Sequence, residues 1–187
     1  MRAARLLGLA EAMGLLGSTQ SVDRLDWETL RGSVGEVVAR GIGRSAAVAL
    51  DGARDPERIA GLLDRLYDEL LQSPSPEPEA QRLLALFGVD QLAGLVGASA
   101  SSLRRYAAGE RTPPDALAAR LHHLAIITSH LAGGYNEFGI RRWFERPRAQ
   151  LRGRAPAAML RGEWDADSQP AQRVLQLAEA LNSAPAT

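Results

Sequence analysis

The sequence predicts an all-α protein, and three observations carry that reading. Of the 187 residues 45% are hydrophobic but only 5% aromatic, so the core must be built from Leu, Ala, Val and Ile; runs of β-branched residues are few. Apolar residues recur at helical spacing in stretch after stretch. Residues that start and stop helices also stand where those stripes begin and end. The length suits one larger domain or two small ones.

In chain order, residues 6–16 carry Leu6, Leu9, Ala10, Met13 and Leu16 on related faces of an amphipathic helix. The opening Met1-Arg2-Ala3-Ala4-Arg5 superficially suits a secretory leader. Glu11 interrupts the apolar run, however, and no small-x-small cleavage site follows. Asp26 is placed to cap a helix from Trp27 that carries Leu30, Val34, Val37 and Val38. Gly41-Ile42-Gly43-Arg44-Ser45 contains a lone G-x-G without the lysine or spacing of a phosphate loop, and reads as a turn. Asp55-Pro56 starts a further helix whose stripe is Ile59, Leu62, Leu63, Leu66 and Leu70. No chemistry is visible in residues 1–72. Ser73-Pro74-Ser75-Pro76-Glu77-Pro78 then reads as an extended proline-rich linker over 73–78.

Beyond it, Glu79–Phe87, Asp90–Val96 and Ala100–Ala108 read as helices, the last closed by Gly109. Thr112-Pro113-Pro114-Asp115 opens a fourth, with Thr112 as its cap, running to Gly133-Gly134. Residues 79–133 therefore form one expected domain and 134–187 another.

Net charge is zero, with 22 basic and 22 acidic residues, and every basic residue is arginine. That excludes a protein that coats nucleic acid by phosphate neutralisation alone, though a local basic patch is compatible with it. No cysteine is present, which excludes disulfides and thiolate metal sites and fits a reducing cytoplasm. No stretch reaches the length of a membrane span. The expected location is cytoplasmic.

Residues 92–106 have a definite logic. Leu92, Leu95 and Val96 bury a first helix, Ala93 is small where a second must cross, and Gly97 permits the sharp turn. Ser99 is placed to cap the next helix, and Leu103 and Tyr106 return to the core. Ser101, Ser102, Arg104 and Arg105 are left to project near the start of an exposed helix. Hydroxyls bond phosphates or bases, and the arginine fork meets guanine bidentately. Arg111, in the loop beside the next helix, is placed as a phosphate clamp. The stretch resembles the Xre (Cro/C1-type) helix-turn-helix family, whose second helix enters the major groove N-terminus first. Read without the resemblance, it is a helical hairpin with a solvated arginine pair.

After Gly133-Gly134, Trp143-Phe144-Glu145-Arg146-Pro147 ends one helix with a large ring and a proline, Pro156 starts a short one, and Val174, Leu175, Leu177, Ala178 and Leu181 mark a last one. The order Trp143, Pro147, Leu151, Gly153, Pro156, Leu160, Gly162 resembles the C-terminal region of the Xre/MbcA/ParS antitoxins, and the likeness covers roughly residues 80–182. It implies a DNA-binding antitoxin that represses its own operon. It also implies a homodimer whose C-terminal region, Trp143 and Phe144 included, contacts a cognate toxin, often a RES-domain enzyme. Three features depart from the family: Arg148 replaces an asparagine, Trp164–Pro170 is an insert, and residues 1–78 have no counterpart in compact members.

No other constellation competes. His122 and His123 are adjacent, His130 lies two turns beyond, and none has further ligands nearby, so a surface or packing role is expected. Glu163, Asp165 and Asp167 read as a solvated acidic loop. No nucleophile–base order or carboxylate pair has catalytic spacing, so neither enzyme, metal nor cofactor is expected. Two other readings of the DNA motif stay open: a regulator without a toxin, and an interaction adaptor whose helix-turn-helix is only structural.

Overall fold

The computed structural model describes residues 1–17 and 26–183; residues 18–25 and 184–187, within the first and last expected regions, lie outside that description. The fold is all-α: eleven α-helices and no strand among the described residues, with one isolated antiparallel bridge between Arg148 and Arg154. No described helix is long and apolar enough to cross a membrane. The chain divides into two compact units, Met1–Pro74 and Ser75–Thr187.

In the first unit, α1 (Arg2–Ala12) packs on α2 (Trp27–Ala39) and α4 (Pro56–Leu71), with α3 (Arg44–Asp51) against α2 and α4. The capping signals act as expected: the Asp26 carboxylate accepts the Thr29 amide at 2.8 Å, and Asp55 accepts that of Arg58 at 2.8 Å. Leu9, Met13, Leu50, Leu66 and Leu70 fill the centre. Helix α3 follows directly on the G-x-G turn, where no helix was expected. Gly43 has a left-handed φ of 71° and lies against the Leu66 side chain, which leaves no room for a Cβ.

The second unit contains α5 (Pro76–Phe87), α6 (Val89–Val96), α7 (Ala100–Ala107), α8 (Asp115–Ala132), α9 (Glu137–Glu145), α10 (Pro156–Met159) and α11 (Gln169–Ser183). Two local expectations need correction. The stretch 73–78 is not an extended linker throughout: α5 begins inside it, with Pro76 in the first turn and Pro78 buried. First-turn amides have no partner within a helix, so proline removes nothing there. Thr112 does not cap α8, which starts at Asp115 behind Pro114 and has no side-chain cap bond. The two prolines hold the chain extended between Thr112 and the helix.

The larger correction concerns the boundary at 133/134. Segments 79–133 and 134–183 share one core, in which Leu83, Leu92, Leu103 and Leu121 meet Trp143, Phe144, Leu160 and Val174. Phe144 stands edge-on to Phe87 at 5.1 Å and to Trp143 at 5.2 Å. Helix α8 is the axis, buried on nearly all sides and packed on α5, α6, α9 and α11. His122 and His123 have the expected packing role. The His122 ring bonds the fully buried Glu79 carboxylate at 2.6 Å, and His123 donates to the Ala171 carbonyl at 3.2 Å. Burial pushes the pKa of His123 below its ordinary 6.5.

Candidate nucleic-acid interface

Helices α6 and α7 are the two short helices expected on either side of the Gly97 turn, and they pack on each other. Gly97 ends α6 at φ 69°, and Ser99 begins α7 with its Oγ accepting the Ser102 amide at 3.1 Å. Leu103 and Tyr106 are buried, so the opposite face of α7 turns outward, and Ser101, Arg104 and Arg105 are exposed on it. Ser102 departs from expectation. It is half-buried, and its hydroxyl accepts from Ser99 at 2.9 Å, so it supports the cap. Arg105 is within 3.6 Å of Glu110, an exposed pair of little energetic weight, while Arg104 forms no ion pair among the described residues. Arg111 is exposed in the loop before α8, its guanidinium 6.0 Å from the Tyr106 ring.

What holds this motif comes from outside it. The last carbonyls of any helix lack partners within it, and those of α6 are capped in succession by distant groups. The Gly162 amide donates to the Gly94 carbonyl at 3.1 Å. The Trp164 indole donates to Leu95 at 2.7 Å, and Arg120 to Val96 at 2.6 Å. Arg120 also donates to the Trp164 carbonyl at 2.8 Å, tying the two caps together. Gly97 lies so close to the Gly162 backbone that a Cβ there would fall 2.5 Å from its carbonyl oxygen and 2.9 Å from the Glu163 nitrogen. Sequence reasoning missed Arg120 and Trp164. An arginine inside the apolar run of α8 is the one signal that marked the first.

The residues expected at a toxin contact divide sharply. Trp143, Phe144, Leu151, Pro156 and Leu160 are buried and cannot form a contact surface; large apolar side chains are here the floor of the unit. Pro147 and Gly153 are exposed, and Gly162 is half-buried against the turn. The surface belongs to neighbours that sequence reasoning did not assign to a contact: exposed Tyr135, Phe138, Arg142, Arg146 and Arg154, with half-buried Arg148. The acidic loop is local and solvated, Asp165 accepting the Asp167 amide at 2.8 Å. Among the described residues no three His, Asp or Glu side chains gather to hold a metal ion. No protein-family model, curated protein or solved structure matches the chain.

Proposed function

We propose that this protein is a cytoplasmic, DNA-binding antitoxin that represses its own operon as a homodimer and holds a RES-like toxin inactive through its C-terminal region. The observation that carries the reading is the exposed face of α7, where Ser101, Arg104 and Arg105 stand beyond a capped N-terminus on a turn braced from behind. A recognition helix needs that combination: donors free to reach base edges and phosphates, and a turn stiff enough to hold them in register. Zero net charge means affinity rests on a few placed arginines, which two copies would double.

The test is binding to the gene's own upstream DNA at fixed salt, alongside a search for a RES-like reading frame beside the gene and co-expression with its product. Repression and growth rescue are expected. Affinity for that DNA no greater than for unrelated DNA would remove the repressor half, and failure to co-purify any toxin would remove the other. The self-contained unit Met1–Pro74, extra to compact antitoxins, supports a second reading as a regulator without a toxin. That reading predicts operator binding with no toxin rescued.

A further inference from the structure

Residues 141–161 contain seven arginines and a single carboxylate, Glu145. Several of these arginines gather on one hollow of about 210 Å³, lined by Tyr135, Phe138, Arg142, Trp143, Arg146 and Arg148. Arg142 and Arg146 are one helical turn apart, on α9 and at its end. The backbone bridge between Arg148 and Arg154 sets those two residues directly opposite each other, with side chains on the same face. Like charges so placed repel, yet none of the four has a carboxylate partner among the described residues. The Nε of Arg148 is buried without a hydrogen-bond partner, an arrangement that disfavours the isolated fold. The bridging turn adds backbone strain: Arg152 has a φ of 55°, the one left-handed non-glycine among the described residues.

We infer that this hollow is an anion-receiving groove, and that its occupant is an acidic segment of a protein partner whose carboxylates pair with Arg142, Arg146, Arg148 and Arg154. Charge complementarity demands an anion. The aromatic rings decide its class. The Arg142 guanidinium lies 5.6 Å from the Phe138 ring and that of Arg148 lies 5.3 Å from the Trp143 ring, so these rings support the guanidiniums instead of offering faces for bases to stack on. A concave site with pre-positioned arginines and exposed aromatics has the composition of a protein-interface anchor. A larger hollow of about 390 Å³ beside Trp164 lacks these means: its lining cation, Arg120, is already committed to two carbonyls. The inference rests on the partner half of the reading above and specifies its chemistry.

The test uses the full chain and four fluorescein-labelled probes: a short oligo-glutamate peptide, the same peptide made with glutamine, and single-stranded and duplex oligonucleotides of unrelated sequence. The glutamate peptide binds in a salt-dependent way and the glutamine peptide does not. Arg142→Ala and Arg146→Ala each weaken binding about threefold, as exposed pairs do. Arg148→Met, which keeps a stem on Trp143, weakens it about tenfold because that charge is partly desolvated. Arg104→Ala leaves it unchanged. Should Arg148→Met disturb folding, the double variant of the exposed Arg142 and Arg146 carries the test. Equal peptide binding by wild type and variants overturns the inference. So does tighter, arginine-dependent binding of an oligonucleotide, which would assign the groove to nucleic acid. A toxin that binds wild type and variants alike sinks the groove while leaving the antitoxin intact, whereas peptide binding without any toxin does the reverse.

Discussion

The α6–α7 turn and the α9 groove belong to the same unit, yet they dispose of their polar groups in opposite ways. At the turn, three successive carbonyls are capped by Gly162, Trp164 and Arg120, and the glycine at the bend is pressed on backbone from a remote segment. At the groove, arginines converge without carboxylate partners among the described residues, and the Arg148 Nε is buried with none of them to bond. A satisfied network holds a shape; an unsatisfied one is costly until a partner completes it, which is the role inferred for the groove. Position is built in the first region and recognition is left open in the second.

Glycine substitution separates the two most strongly. Gly97→Ala puts a Cβ into the Gly162 backbone at a left-handed φ and should destabilise the second unit by about 3–5 kcal/mol in denaturant unfolding, overpacking adding to backbone strain. Gly153→Ala, at φ 75° but facing open space, should lose only the conformational part, about 1–2 kcal/mol. Equal losses at both sites would mean that the turn is not braced by its neighbour.

Next in size is the exposed face of α7. Arg104→Ala and Arg105→Ala should each reduce operator affinity by about 1–3 kcal/mol where a base contact is lost, with the melting temperature unmoved. Loss of stability in place of affinity would make these arginines structural. Trp164→Phe keeps the ring and deletes the bond to the Leu95 carbonyl. It should lower stability by about 1 kcal/mol and weaken operator binding beside it, since the turn loses a brace. Unchanged DNA affinity in a well-folded Trp164→Phe protein would uncouple the C-terminal segment from α7.

The smallest effect is with pH. His123 titrates lower in the folded unit than its ordinary 6.5, so on acidification the unfolded chain takes up the proton first. Stability is therefore complete above about pH 6.5 and declines as pH falls from there toward the folded value. His123→Gln should flatten that part of the profile in pH-dependent unfolding, and an identical slope in the variant would refute the assignment.

Much of this was legible because helix signals are local. Asp26, Asp55 and Ser99 each accept an amide three residues on, and sequence spacing alone identifies such a cap. Gly97 and the buried stripe of Leu92, Leu95 and Val96 were read in the same way. Proline-rich 73–78 misled because proline is both a breaker and a first-turn residue, and only the packing of Pro78 and Glu79 decides between them. Trp143 was legible as a buried ring, but the resemblance also placed Trp143 and Phe144 in the contact region, since a motif does not show which way its residues face.

By itself the sequence determined the all-α class, most of the helices and the outline of the helix–turn–helix, since each depends on atoms within a turn or two of chain. Only the tertiary structure decided that residues 134–183 complete the same core, that Trp164 caps a carbonyl 69 residues away, and that Arg142, Arg146 and Arg148 line one hollow with Arg154 bridged to Arg148. Such pairings form when distant segments bury a common apolar surface, and local spacing says nothing about which segments those are.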